Sequence, residues 1–237
     1  MKITSEVKIF TVILVVALGL VAFAVLPTLT QPKPVDIHEP KVEDTLTKAI
    51  LVPPGSHLKG KPDAASTIVV FSDFQCPQCM KSAPKLDAVL KENKDILNVV
   101  FHNFQARPDH FNAKMLDRVA EAAGEQGKFW EMHDALFKNQ GELIIEDLKA
   151  VKAKILTIGE SLQLDMTKFR AACDSPVSEK KYTDDNALAL KAGAHATPWM
   201  LGINPKGKVT YIPEIEMVKK WLGGDPLVAP EAGGQPK

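Results

Sequence analysis

The sequence predicts an α/β domain built on a strand, helix, strand unit, interrupted by an all-helical insertion and preceded by an N-terminal membrane anchor or signal segment. Three observations predict it. Thr67-Ile68-Val69-Val70-Phe71 is a continuous β-branched and aromatic run of strand length, the pattern of a strand covered on both faces. Apolar residues at Ala83, Leu86, Val89 and Leu90 then mark one face of a helix, and a second strand candidate follows at Ile96 to Phe104. From about Asn112 to Ser175 apolar residues recur at helical spacing with no strand pattern between them.

Taken in chain order, Ile9 to Leu26 comes first as an unbroken uncharged, mostly apolar stretch, about 27 Å long as a helix at ~1.5 Å per residue, enough to span a bilayer core. Lys2 and Lys8 precede it and Pro27 ends it, so the amino terminus is expected in the cytoplasm. Ala22-Phe23-Ala24 also fits a signal-peptidase site after a short hydrophobic core, which gives the alternative of a cleaved signal. Either way the bulk of the chain is exported. Residues 28–65 are rich in proline and charge and form a spacer. A domain at 66–223 follows, with its helical insertion at about 108–176, and residues 224–237 form a flexible tail.

Within that domain the insertion holds three or four helices, punctuated by Gly124, Gly127, Gly141 and Gly159. Another helix runs from about Ser178 to Ala192, with Gly193 as its stop. Two short strands, Trp199 to Ile203 and Val209 to Ile212, are joined through Asn204-Pro205-Lys206-Gly207, and a last helix spans Glu214 to Leu222.

Charge narrows the function. Lys plus Arg equal Asp plus Glu at 29 each among 237 residues, so nothing in the overall charge favours a nucleic acid as partner. With 45% hydrophobic and 24% charged residues the chain can bury a core.

The chemistry concentrates at Cys76-Pro77-Gln78-Cys79, where a strand ends and an amphipathic helix begins. Unpaired N–H groups and aligned peptide dipoles at a helix start stabilise a thiolate and lower its pKa. Pro77 suits the first helical position, which leaves the Gln78 and Cys79 amides to face the Cys76 sulfur. Cys76 is therefore expected as the exposed, low-pKa thiol, and Cys79, one turn on, as the buried partner that closes the disulfide. The competing readings are half of a zinc site, for which only His102 and His110 offer further ligands, and a structural disulfide, which a loop this short would make a poor staple. No metal and no cofactor are expected.

The segment Phe71-Ser72-Asp73-Phe74-Gln75-Cys76-Pro77-Gln78-Cys79 resembles the active-site segment of the DsbA-like thiol:disulfide oxidoreductases, thioredoxin-fold proteins with a helical insertion. Gly60 to Ala65, Gly127-Lys128-Phe129-Trp130-Glu131-Met132-His133 and Thr197-Pro198 are similar to further segments of that family, so that the resemblance covers about residues 57–222. It implies a cis peptide bond at Pro198, packed beside Cys76, with the Thr197 backbone placed to pair with an extended substrate. It implies catalysis by Cys76 and Cys79, modulation by Pro77, Gln78, Thr197 and Pro198, and work outside the cytoplasm. The implied partners are cysteine-containing exported proteins and a membrane or soluble protein that recycles the disulfide, with the membrane itself met through residues 9–26.

The sequence departs from the family at two points. Pro-Gln replaces the Pro-His of strongly oxidising relatives, and a neutral Gln78 cannot supply the charge of an imidazolium, so a less oxidising couple is expected. After Pro198, Trp199-Met200-Leu201-Gly202 replaces the paired aromatics common in the family. A reductase or isomerase using the same cysteines, and a binding module for unfolded segments or metal, are the alternative functions. Of the remaining candidates, Cys173 is expected as a buried structural thiol, His195 as a loop histidine near the active face, and Phe129, Trp130 and Phe137 as core aromatics. Asp73 is either a buried proton-transfer group or a strand-end carboxylate in water.

Overall fold

Strand β2, Ser66–Ser72, and strand β3, Leu97–Asn103, are buried along their whole lengths and pair in parallel, with Ile68 opposite Val99 and Val70 opposite Phe101. Helix α2, Pro77–Glu92, connects them, which completes the expected strand, helix, strand unit. The computed structural model describes residue 42 and residues 45–224. The anchor or signal segment at 9–26, residues 28–41, 43 and 44 of the spacer, and the tail beyond Gly224 lie outside the described residues, among which no helix is long and apolar enough to cross a membrane.

Residues 45–65, assigned by the sequence to the spacer, carry two elements. A short helix α1, Lys48–Leu51, buries Leu51, and strand β1, His57–Gly60, pairs antiparallel with β3. Four residues with one strongly apolar side chain leave no alternating pattern, and it is the exposed edge of β3 that supplies the pairing. Strands β4, Trp199–Ile203, and β5, Val209–Ile212, extend the sheet on its other side, both antiparallel, to give the order β1-β3-β2-β4-β5.

Between β3 and α8, Pro176–Lys191, the insertion contains five helices, one more than the upper expectation: α3, Ala113–Gly124; α4, Phe129–Lys138; α5, Gln140–Leu143; α6, Leu148–Ser161; and α7, Met166–Cys173. The extra element is the single turn α5, too short for a periodic signal. Three later starts are capped as the residue types require. Asp147 accepts from Lys149 and Ala150 amides, Asp165 from Thr167 and Lys168, and Ser175 from Ser178 with Pro176 in the first helical position. The expected last helix is a 3₁₀ turn, Ile215–Met217, running into α9, Val218–Leu222.

Two cores lie on the two faces of the sheet, and β2 alternates between them. Ile68 and Val70 face a core shared with α2 and the insertion, including Phe101, Leu116, Met132 and Phe169, whereas Val69 and Phe71 face Phe104, Ala189, Trp199 and Leu51. Gly202 of β4 is required by the close approach of α9: a Cβ there would lie 2.5 Å from the Trp221 indole. The C-terminal end of β2 therefore emerges with both faces covered, aimed at the loop that carries the cysteines.

Candidate active site

The loop Asp73–Gln75 links β2 to α2 and is fixed by its own polar groups. The Cys76 amide donates to the Asp73 carbonyl at 3.0 Å, and the Gln75 amide donates to the Asp73 carboxylate at 2.7 Å. Asp73 is buried, which resolves its two readings against the solvated one, and its other carboxylate oxygen receives Nδ1–H of His110 at 2.7 Å. Burial raises the Asp73 pKa, while His110 and the Gln75 amide pull it down.

The insertion grips this loop from outside. Gln140, buried at the start of α5, donates its side-chain amide to the carbonyls of Phe74 at 2.8 Å and Cys76 at 3.1 Å. The Asn112 amide donates to the side-chain carbonyl of Gln75, and the Asn112 side chain donates to the carbonyls of Leu143 and Ile145. Neither Gln140 nor Asn112 is marked by spacing in the sequence. Gln140 meets backbone carbonyls far along the chain and Asn112 reaches Gln75 with its own backbone amide, and a main-chain group leaves no trace in residue identity.

Cys76 is the N-cap of α2, with extended backbone at φ −75° and ψ 120°, and Pro77 occupies the first helical position. Its thiol is held down to about 5, first by a hydrogen bond from the Cys79 thiol and then by the Thr197 side chain and the amides of Cys79 and Gln78, against a desolvation cost. When protonated, Cys76 Sγ donates to the Thr197 carbonyl at 3.3 Å. The Thr197-Pro198 peptide is cis and lies against Cys76, as the resemblance implies. Cys76 is 7% exposed and Cys79 2%, so the order of exposure is as expected but Cys76 is not the open thiol the sequence suggested, because the Thr197 loop covers it. Burial pushes the Cys79 thiol well above its ordinary value, and the neighbouring Cys76 adds to the rise. Pro77 and Gln78 are exposed beside the pair.

The other candidates fall elsewhere. His195 is exposed, hydrogen-bonds the Gly193 carbonyl and packs edge-on against Trp199 at 4.7 Å. His102 bridges Asp185 and the Leu51 carbonyl from a fully buried position, so the two histidines weighed as zinc ligands face different partners. Cys173 is half-buried on α7 rather than fully buried, and its thiol is pushed up to about 12 by desolvation. Phe129 and Phe137 are buried and Trp130 packs against the same core.

A family model described as thioredoxin matches residues 53–204. Among solved structures, a thioredoxin-like oxidoreductase from Silicibacter pomeroyi is 20% identical, with a TM-score of 0.60 over 75% of this chain and 95% of that one. DsbA2 of Pseudomonas aeruginosa is 22% identical, with a TM-score of 0.57 over 74% and 98% of the two chains. Oxidised BdbD of Bacillus subtilis is 19% identical, with a TM-score of 0.60 over 72% and 92%. At these identities the likeness is one of fold. Curated relatives carry the name Na(+)/H(+) antiporter NhaA. That of Salinispora arenicola is 37% identical over half of this chain and 17% of its own length, and that of Mycolicibacterium gilvum 29% identical over 79% of this chain and 30% of its own. The chain thus spans less than a third of the length of these relatives.

Proposed function

Because this chain belongs to the thioredoxin family, we propose that it is a thiol:disulfide oxidoreductase that works outside the cytoplasm and oxidises cysteine pairs in exported proteins through Cys76 and Cys79. The observation that carries the reading is the asymmetry of the two thiols: Cys76 held near 5 by a ring of donors, and Cys79 pushed up in a buried position beside it.

In the forward reaction a substrate thiolate attacks Cys76 Sγ of the disulfide form, the Cys76–Cys79 bond breaks, and Cys79 leaves with the electron pair. A second substrate thiolate then attacks the mixed disulfide at the substrate sulfur, and Cys76 leaves as a thiolate. Its low pKa makes it the better leaving group, so the reduced form is favoured and the disulfide oxidises its partner. The Thr197 backbone supports an extended substrate next to the attacked sulfur, and the exposed Gln78 meets whatever docks there.

Gln78 tempers the potential, because an amide adds no positive charge beside the thiolate. The export segment at 9–26 supports the location, and the antiporter activity named for the longer relatives is not carried over to a chain matching 17–30% of them.

Oxidation of a reduced test protein by the disulfide form decides the reading. Cys76→Ser abolishes turnover and Cys79→Ser accumulates mixed disulfides; oxidation persisting in both variants overturns it. A reduction potential well above about −200 mV supports the oxidase direction, and one near about −270 mV supports a reductase instead.

A further inference from the structure

Beneath Cys79 lies a small cavity of about 20 Å³, between α2, the sheet and α4 of the insertion. Its walls are largely apolar, with Val70, Phe101 and Met200 among them, and its polar lining residues are Ser72, Cys79, Ser82, Asp87 and His133. The Ser72 side chain lines the cavity beside Cys79 and partly offsets the rise that burial imposes on the Cys79 thiol. A single water needs about 10–15 Å³ and two to four polar partners, and this cavity meets both conditions.

His133 is a buried histidine within a shell of rings: Phe137 at 4.9 Å, Phe101 at 5.0 Å, Trp130 at 5.1 Å and Phe74 at 5.7 Å, all edge-on or nearly so. Its Nδ1 is 2.8 Å from Oδ1 of Asp134. An ionised carboxylate only accepts, so Nδ1 carries the proton and Nε2 presents its lone pair. Among the described residues Nε2 has no hydrogen-bond partner. The charged groups that face His133 are Asp134 on its own helix, Lys59 from β1 and Asp87 from α2, with Lys59 bridging the two carboxylates at 2.7 Å to Asp87 and 3.8 Å to Asp134. Burial holds the imidazole below its ordinary pKa, hence neutral and able to accept.

We propose that His133 is the proton acceptor for Cys79, reached through one water in the cavity that both residues line; the inference rests on the oxidoreductase reading above. When Cys79 resolves a mixed disulfide on Cys76, its thiol proton passes to the water and a water proton passes to His133 Nε2. The Cys79 sulfur then forms its bond to Cys76 Sγ, the bond from Cys76 to the partner sulfur breaks, and the partner leaves as a thiolate. Asp134 balances the imidazolium so formed. In the reverse direction the same proton returns as Cys79 leaves. Ser72 is no base, Val70 on the facing wall offers no proton acceptor, and the Asp87 carboxylate on the same lining is already held by Lys59 Nζ at 2.7 Å.

The test is a two-phase release experiment on the reduced full chain carrying Cys173→Ala, with dithiobis(nitrobenzoate) as the oxidant. The first coloured thiolate reports attack by Cys76, and the second reports resolution by Cys79. His133→Gln is expected to slow the second phase about 100-fold, to leave the first unchanged, and to remove the limb of the pH profile that rises at acidic pH. Asp134→Asn, at an exposed and tolerant position, is expected to shift that limb to lower pH, and this variant decides the matter if His133→Gln does not fold. A wild-type protein that never releases the second equivalent overturns the oxidoreductase reading itself. Variants that match wild type in second-phase rate and pH profile, in a protein that does release it, overturn the role of His133 alone.

Discussion

Nδ1 of His110 lies 2.7 Å from the carboxylate of Asp73, and that carboxylate in turn holds the Gln75 amide in the turn immediately before Cys76. The two residues are 37 positions apart, on opposite sides of β3, and their pairing sets the backbone from which the reactive thiol departs.

Removing His110 leaves a buried carboxylate without its partner. His110→Ala is expected to cost about 1–3 kcal/mol of folding stability, with a coupling of similar size in a double-mutant cycle with Asp73→Asn. Denaturant melts of the four proteins measure it, and additive losses would show that the pair is not coupled.

Cys76 should titrate far from an ordinary thiol. Ultraviolet thiolate absorbance of the reduced protein is expected to rise with a midpoint of about 5, and alkylation at neutral pH to label Cys76 while sparing Cys173, whose thiol is pushed up to about 12. A midpoint near 9 would remove the basis for a good leaving group.

The same depressed value makes the stability of the reduced protein depend on pH in a defined direction. The folded state binds fewer protons than the unfolded state between about 5 and the ordinary 9.0, so stability relative to Cys76→Ala rises with pH across that window. The contribution is fully present above 9.0 and is lost as pH falls through about 5. Melts of the two reduced proteins at several pH values measure it, and parallel curves would contradict it.

Gln78→His places a titratable ring beside the thiolate. The reduction potential is expected to rise by tens of millivolts, each ~30 mV being a tenfold change in the equilibrium with glutathione. An unchanged potential would show that this exposed position does not reach the sulfur electrostatically.

Gly202→Ala tests the packing of α9 on the sheet. A Cβ would meet Trp221 Cε2 at 2.5 Å and Ile212 Cδ1 at 2.8 Å, and the indole has no flexible end to move aside. The expected loss is about 1–3 kcal/mol in a chemical melt. Wild-type stability would mean that α9 shifts at little cost.

Much of the fold is legible in residue pattern because burial on two faces writes itself into runs such as Ile68 to Phe71, and capping chemistry into Asp147, Asp165 and Ser175. Strand β4 starts and stops where its apolar run does. The cysteine pair and the start of α2 are legible for a local reason, since Cys-Pro at a strand end fixes the geometry within a few residues. What cannot be read is long-range polar pairing. His57 meets Glu121 across 64 positions, His102 meets Asp185 across 83, and His110 meets Asp73 across 37. A histidine and a carboxylate carry no information about each other until the chain has folded. The cover that Thr197 lays over Cys76 is illegible for the same reason, its hydrogen bond spanning 121 positions.

Gln140 and Asn112 give the helical insertion a duty beyond bulk. A shortened protein made by splicing β3 directly to α8 would keep the five strands of the sheet and both reactive cysteines, yet it would lose the amides that hold the Phe74 and Cys76 carbonyls and the Gln75 side chain. Miniaturisation of this scaffold therefore has a floor: the reactive centre is templated by the very segment that a designer would cut first, and a trimmed version would be a redox-competent dithiol without a tuned one.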